Sequence, residues 1–374
     1  MRIHARHNLI VRMESLGMLF AAPSDYLDVA DLKAIAAGGI VREDVADQIF
    51  DISEIPTPFL DMIPETSYSN SYHEWTEDKL NAPDLANAAV SGKDIASTDN
   101  KAGSNGVRKG NHAQICTKPV MVTERGQAVG GIGRADEMGY QTAMRLNELR
   151  RDVEAIVLSG QASVQDDNNA TAGKVGGVPA WMFTNKDLGA TGAIAGFQTG
   201  TKLVTAQTNG TARAGTFTMI STQIENVYNL GGNPTVLMSL PAVTKRLAQF
   251  LITTPNSAKP TANVGGSHED RSMSGGVAQV TQMYVDAFKT DFGTFMSIVP
   301  NRLMQVQTGT QANVLGLDPR FWALALLYGW AVKPLADIGL SHRKLLHVDW
   351  TLEARLERSS FVIADITTTA AWTA

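Results

Sequence analysis

The stretch DEMGYQTAMRLNELRRDVEAIVLS, residues 136–159, carries the strongest helical pattern in this chain of 374 residues. Five aliphatic side chains in it fall on one stripe with a 3.6-residue period, namely Leu146, Leu149, Val153, Ile156 and Val157. Charged residues occupy the opposite face, and Arg150 and Glu154 have the spacing of an i, i+4 ion pair. At 1.5 Å per residue the helix would be about 35 Å long, which suits a structural strut.

The C-terminal region predicts an antiparallel strand with one buried face and one solvent face. Apolar residues occupy every second position, namely Val348, Trp350, Leu352, Ala354 and Leu356. Polar or charged residues alternate with them, namely Asp349, Thr351, Glu353, Arg355 and Glu357. A second run, Phe361 to Ile366, is expected to return beside this strand.

A helix, strand, helix series precedes the C-terminal region. One helical face is predicted from Ile220, Ile224, Val227 and Tyr228, and two glycines at 231–232 end that helix. A short buried strand is expected over Thr235 to Ser239, and Pro241 opens a helix to about Ile252. The apolar run Phe321 to Trp330 predicts buried core. Residues 161–218 are expected to form loops and short edge strands, with Val178 to Met182 as their one firm anchor.

Residues 66–124 have a different composition. Two strand-like flanks, Tyr68 to Thr76 and Gln114 to Thr123, enclose a middle rich in Ala, Asn, Ser, Gly and Lys from Leu80 to Lys109. The flanks are expected to pair as a ribbon, and an isolated two-stranded ribbon is only marginally stable in water. The ribbon therefore needs another surface. Disorder and a projection that binds a partner are equally compatible with its middle.

The first 65 residues are predicted to form an extended arm. Helical spacing occurs only in short pieces, Asp31 to Ala37 and Asp44 to Phe50. The two prolines of Ile55-Pro56-Thr57-Pro58 then favour extended backbone.

Composition excludes several classes of protein. Hydrophobic residues make up 44% of the chain and charged residues 18%, which fits neither a disordered polyion nor a membrane protein. The formal net charge of −5 argues against a protein whose main task is to grip nucleic-acid phosphates. The single cysteine, Cys116, forms no intramolecular disulfide, and no apolar run approaches the ~20 residues that span a bilayer.

No catalytic constellation is found in the sequence. The glycines of Gly131-Ile132-Gly133 precede the long helix, but Asp136 occupies the third glycine position of a dinucleotide motif, where an acid would face the pyrophosphate. The tightest group of metal-capable residues, His268-Glu269-Asp270, is adjacent in an extended loop and is expected to be solvated. We therefore predict no catalytic, cofactor or metal site and no enzymatic activity.

The order of these elements resembles the major capsid proteins of tailed bacteriophages, which have the Hong Kong 97 fold. The resemblance is carried by IPTPFLDMI at 55–63, YHEW at 72–75, LNELRRDVE at 146–154 and NLGGNPTVLM at 229–238. It implies an α+β fold with five parts, which are an N-terminal arm (1–65), an extended loop (66–124), a peripheral domain (125–222) with a spine helix (136–159), an axial domain (223–340), and C-terminal strands that return to the peripheral domain (341–374).

The resemblance also implies a function and partners. The chain would self-assemble through hexamers and pentamers into the icosahedral head shell around double-stranded DNA, in the virion and formed in the cytoplasm of a bacterial host. Portal, scaffolding, protease or decoration proteins would be possible partners, with no membrane involved. Arg2, Arg6 and Arg12 could touch the DNA non-specifically if the arm faces inward, and a solvated arm is the alternative. The predicted assembly interface comprises Tyr72, Trp75, Lys79, Lys93, Lys101, Arg108, Lys109, Arg150 and Glu154.

Two alternatives stay open at this point. An encapsulin, which is a bacterial nanocompartment that loads enzyme cargo, would have the same fold and no DNA inside. A soluble oligomeric hydrolase or lyase would need a site assembled from scattered acids that motif analysis does not detect.

Overall fold

The computed structural model describes residues 56–94, 106–129, 134–167, 169–253, 287–304 and 309–373, with side chains except at 250–253. The predicted helical pieces of the arm, the three N-terminal arginines and His268 to Asp270 lie outside this part of the chain. The chain divides into two compact units, residues 1–52 with 129–135, and residues 53–128 with 136–374. The architecture below is that of the second unit.

Six helices and fourteen strands occur in the described residues of this unit. The helices are α1 (Pro58–Met62), α2 (Glu124–Ala128), α3 (Glu137–Val157), α4 (Val178–Trp181), α5 (Phe217–Asn229) and α6 (Pro241–Thr253). The strands are β1 (Glu65–Ser67), β2 (Tyr72–Glu77), β3 (Val107–His112), β4 (Gln114–Thr123), β5 (Lys186–Asp187), β6 (Phe197–Gln198), β7 (Leu203–Val204), β8 (Val236–Ser239), β9 (Ala287–Lys289), β10 (Phe295–Pro300), β11 (Gln311–Leu317), β12 (Trp322–Pro334), β13 (Ser341–Ala354) and β14 (Phe361–Thr367).

The long helix predicted over 136–159 is confirmed as α3. Leu149, Val153 and Val157 are buried on one face of α3, as the 3.6-residue period requires. That face packs on β4 and β13 of a four-stranded sheet with the strand order β1-β12-β13-β4. The helix and the sheet together form the first hydrophobic core of the unit.

The alternation along β13 predicts only one of its two faces correctly. Val348, Trp350, Leu352 and Ala354 are fully buried against the core, as expected. The expected solvent face is wrong, because Asp349, Thr351 and Glu353 are buried as well. The ribbon of β2 and β3 covers Thr351 and Glu353, and the Thr351 hydroxyl donates to the His112 carbonyl oxygen at 3.0 Å. Asp349 accepts a hydrogen bond at 2.6 Å from the hydroxyl of Tyr68, which lies just before the ribbon.

A six-stranded sheet, with the order β5-β14-β11-β8-β10-β9, forms the second half of the unit. The predicted helix, strand, helix series is confirmed as α5, β8 and α6, and Ile220, Ile224 and Val227 of α5 are buried with Leu237 of β8 in the second core. Tyr228 is not on that buried face, since 53% of its surface is exposed. The opposite side of the sheet, including Met238 and Val362, belongs to the first core.

Two other predictions for the C-terminal region are corrected. The run Phe361 to Ile366 does not return beside β13, because β13 already has β12 and β4 as neighbours. It forms β14, which pairs antiparallel with β11 and parallel with β5 in the six-stranded sheet. The run Phe321 to Trp330 is buried only from Trp322 to Ala325, and beyond Leu326 strand β12 extends into solvent.

The ribbon exists, but its strands are not the predicted pair. Strand β2 pairs with β3 in a register that joins Tyr72 to His112 and Glu77 to Val107. The second predicted flank forms β4, which pairs along its whole length with β13. The chain therefore leaves the ribbon at Ala113 and enters the four-stranded sheet directly.

Candidate assembly surface

The base of the ribbon is fixed to its own subunit by the buried side chain of Asn111. Its Nδ2 donates to the carbonyl oxygens of Leu352 at 3.0 Å and Gly176 at 3.3 Å. Its Oδ1 accepts from the Gly176 backbone N–H at 2.9 Å. Three elements, β3, β13 and the loop before α4, are thus joined by one amide group.

Further polar side-chain contacts reinforce this attachment. Glu77, buried at the end of β2, binds Lys109 at 2.5 Å between Oε2 and Nζ, and it also accepts a hydrogen bond from Arg358. His73 Nε2 lies 3.7 Å from Glu353 Oε1 on β13. Burial alone would raise the pKa of Glu353, but its hydrogen bonds from His73 and Arg355 outweigh burial and lower it.

Aromatic rings fill the space beneath the ribbon. Trp75 of β2 lies 5.4 Å from Trp181 between ring centroids, and Trp181 stacks on Phe197 at 5.7 Å with an interplanar angle of 3°. Helix α4 carries Trp181 and follows Gly177, where an added Cβ would lie 1.8 Å from the Ser159 carbonyl oxygen. Only glycine allows the end of α3 and the start of α4 to approach so closely.

A cavity of about 330 Å³ opens beside these rings, and we call it the root groove. Phe183 is its most exposed aromatic residue, with 51% of its surface accessible. The root groove is lined by Glu77, Asp78, Lys79, Val107, Lys109, Trp181, Phe183, Thr184, Phe197, Glu357 and Arg358.

Residues 78–94, which we call the projecting segment, continue from the ribbon without helix or strand. Their aliphatic side chains are almost fully accessible to solvent: Leu80 is 95% exposed, Leu85 100% and Val90 76%. Several exposed aliphatic residues on one segment are typical of a surface that contacts another molecule.

Seven of the nine predicted interface residues separate into three groups. Lys79, Lys93 and Arg108 are exposed on the ribbon or the projecting segment, and Tyr72 is half-buried against His112 of its own subunit. Trp75 and Lys109 belong to the base of the ribbon, where they contact their own subunit. Lys101 lies outside the described residues.

The remaining two predicted interface residues, on α3, have different roles. Arg150 is partly exposed and binds Asp61 of α1 at 3.0 Å instead of Glu154. The prediction that Glu154 belongs to the assembly interface is corrected, because Glu154 is buried inside the subunit. Its carboxylate accepts hydrogen bonds from the backbone N–H groups of Phe59 and Leu60 at 2.9 Å each, and from Asn301 Nδ2 at 2.7 Å.

Sequence analysis missed Asn111, Phe183 and Phe197. No local pattern distinguishes Asn111, whose partners lie 65 and 241 residues away. The apolar run from Val178 to Met182 is the sequence signal for this region. It contains Trp181, which the structure places under the ribbon.

The described residues also bear on metal sites and on membrane spans. In that part of the chain, no group of three or more His, Cys, Asp or Glu side chains is arranged to hold a metal ion. None of the helices described here is both long enough and apolar enough to cross a membrane.

A four-stranded sheet on a long helix, a second sheet with two helices, and an anchored ribbon make up a fold that known structures share, the Hong Kong 97 fold. The capsid of a native GTA particle superposes with a TM-score of 0.54 at 11% identity, covering 91% of this chain and 100% of that chain. The holo-SrpI encapsulin of Synechococcus elongatus PCC 7942 superposes with a TM-score of 0.51 at 10% identity, covering 92% and 98%. These likenesses establish the fold.

The family model of the SU10 major capsid protein matches residues 28–367, and the chain belongs to this family. The major capsid protein of Escherichia phage Phieco32 is 34% identical over 117 residues, which are 31% of this chain and 32% of that protein. The match thus spans about a third of that relative's length. The family match favours a phage coat protein over an encapsulin.

Proposed function

We propose that this chain is the coat subunit of a tailed-phage head and that many copies form a closed icosahedral shell around double-stranded DNA. Membership of the SU10 major capsid protein family supports this role. Within the molecule, the observation that carries it is the projecting segment, whose leucines are exposed while its base is held rigidly.

The base of the ribbon and the projecting segment differ in how they are held. The base of the ribbon is bound to its own subunit by Asn111, Glu77 and packed aromatic rings. The base is therefore in place before any partner arrives. The projecting segment has no core of its own, and its aliphatic side chains gain free energy only when another surface covers them. A neighbouring copy supplies that surface in every position of a shell.

The proposed role is structural and needs no catalysis. The virion capsid is its proposed location, with assembly in the cytoplasm of the host. Portal, scaffolding, protease and decoration proteins are partners that a phage head would supply. Contact of Arg2, Arg6 and Arg12 with packaged DNA also belongs to the proposal.

Sedimentation and negative-stain electron microscopy of the purified chain test the function. A closed icosahedral shell has at least about 60 copies, so the 40.1 kDa chain should give particles in the megadalton range. A sharp monomer at every salt and protein concentration would contradict the proposal. Particles that hold enzyme cargo instead of DNA when isolated from their natural host would favour the encapsulin alternative.

A further inference from the structure

We propose that the buried carboxylate of Asp365 protects the Asn209–Gly210 sequence from spontaneous deamidation. In that reaction the Gly210 backbone nitrogen attacks Cγ of Asn209 and a cyclic imide forms. The new N–Cγ bond replaces the Cγ–Nδ2 bond, the side-chain NH2 group leaves as ammonia with the amide proton, and water then opens the imide to aspartate or isoaspartate. Glycine leaves the attacking nitrogen unhindered, because it has no Cβ. Either product adds a negative charge next to Gly210, so protection preserves each folded subunit, assembled or not.

Asp365 has an unusual backbone position in β14. The pairing of β11 with β14 shifts register between Ala312 and Val314, and Asp365 lies in the resulting bulge. Its φ angle is 63°, in the left-handed region that favours glycine, and its side chain is fully buried. A costly backbone conformation held by a residue other than glycine points to a role for its side chain.

The Asp365 carboxylate binds a backbone N–H from each of two turns. Oδ2 accepts a hydrogen bond from the Gly189 N–H at 2.9 Å, and Oδ1 accepts one from the Gly210 N–H at 2.9 Å. The Gly210 N–H is the group that loses its proton when the imide forms. A negatively charged nitrogen 2.9 Å from a carboxylate oxygen is disfavoured, because like charges repel strongly at that separation. The contact with Asp365 therefore opposes the attack.

Hydrogen bonds on both sides of Asn209 also resist the backbone rotation that ring closure needs. Thr208 exchanges two backbone hydrogen bonds with Ala193, at 2.8 Å and 3.0 Å. The Gly210 carbonyl oxygen accepts a hydrogen bond from Gln311 Nε2 at 3.0 Å. Gly210 is closely surrounded as well, since an added Cβ would lie 2.7 Å from neighbouring backbone atoms. The Gly210 nitrogen is thus held in place until several of these contacts break.

The same carboxylate could play the opposite role, as a base that takes the Gly210 proton and speeds the attack. A base must lie within hydrogen-bond reach of the proton that it removes, and Asp365 meets that condition. The close surroundings of Gly210 favour protection, because a base is useful only when the nitrogen is able to move towards Cγ. The two roles predict opposite effects when the carboxylate is removed.

Mass spectrometry of stored protein tests the proposal. The folded wild-type chain and the Asp365→Asn variant are kept at neutral pH, sampled over weeks and digested with trypsin. Residues 203–213 form a tryptic peptide in which Asn209 is the only asparagine. Residues 102–108 form another, and it contains the second Asn-Gly sequence of the chain, Asn105–Gly106, as an internal reference. Asparagine tolerates the left-handed conformation, so this variant removes the charge and keeps the shape.

Asn209 should convert about tenfold faster in Asp365→Asn than in the wild type, which corresponds to about 1.4 kcal/mol less activation free energy. Conversion of Asn105 should be the same in both proteins. Asp187→Asn is the matched control, because it removes a nearby carboxylate that binds Arg213 instead of Gly210, and it should leave the Asn209 rate unchanged. An unchanged Asn209 rate in Asp365→Asn would overturn the proposal, and a slower rate would assign Asp365 the role of a base.

A second variant and a wild-type comparison cover the case in which Asp365→Asn does not fold, as judged by circular dichroism. Asp365→Gly also removes the carboxylate, and glycine adopts a φ of 63° without strain, so Asn209 should again convert faster. In the wild type, the rate of Asn209 relative to Asn105 should be at least about tenfold lower in the folded chain than in urea. Equal ratios in the two conditions would overturn the proposal, whether or not the chain forms particles.

Discussion

Asn111 donates a hydrogen bond from Nδ2 to the carbonyl oxygen of Leu352 at 3.0 Å, which joins the ribbon to β13, one of the two inner strands of the four-stranded sheet. Because of this contact, the ribbon base is part of the subunit interior, and the free projection begins at residue 78. A partner that binds the projection therefore meets a base that is already ordered, which lowers the entropy cost of association.

Replacing Asn111 with alanine should destabilise the folded chain. The change leaves the carbonyl oxygens of Leu352 and Gly176 and the Gly176 N–H without this partner, at an expected cost of about 2 to 4 kcal/mol in the free energy of unfolding. Urea denaturation measures it. Asn70→Ala, at an exposed position just before the ribbon, is the control and should change stability by less than about 0.5 kcal/mol. Equal effects of the two changes would show that the ribbon base is not bound as described.

Truncation of Trp350 tests the buried face of β13. Trp350 is fully buried, so Trp350→Ala should cost about 3 to 5 kcal/mol through lost apolar contacts and a residual cavity. Tyr328 lies on β12 and is 61% exposed, so Tyr328→Ala should stay within about 0.5 kcal/mol. The melting temperatures of both variants give the comparison. A small loss for Trp350→Ala would mean that this strand does not face the core.

The burial of the Glu154 carboxyl group predicts how the stability of the folded chain depends on pH. Burial raises its pKa, although the hydrogen bonds from Phe59, Leu60 and Asn301 oppose that rise. When the folded-state pKa lies above the unfolded-state value, the folded chain binds the proton more tightly, so stability falls as pH rises between the two values. The stability of the wild type relative to Glu154→Gln should therefore decrease from about pH 4 towards neutrality. Urea unfolding at several pH values checks this, and a relative stability that increases over that range would contradict it.

Periodic patterns of apolar residues predicted the helices and strands whose form depends on residues close to them in the sequence. The stripe that contains Leu149 and Val153 identified α3, because a long helix packed on one side must present apolar residues at helical spacing. The glycines at 231–232 and Pro241 marked the ends of α5 and the start of α6 for equally local reasons.

Contacts between distant parts of the chain could not be predicted in this way. Thr351 and Glu353 are polar, and polarity does not distinguish a face in water from a face covered by a polar ribbon. Glu154 is similar, since a carboxylate on α3 gives no sign that it caps backbone N–H groups of α1 about 95 residues earlier. The run 361–366 suits either sheet, and its place between β5 and β11 depends on the topology of the whole chain.

Replacing residues 80–105 with a short Gly/Ser turn tests the central claim most directly. The ribbon register joins Glu77 to Val107, so a short turn can close the hairpin and leave Asn111 and the base unchanged. The leucines removed are exposed in the subunit, and their loss should not change its circular dichroism or its melting temperature. Electron microscopy and light scattering should show shells from the full chain and none from the shortened chain at the same concentration. Shells formed equally well by a folded, shortened chain would contradict the account.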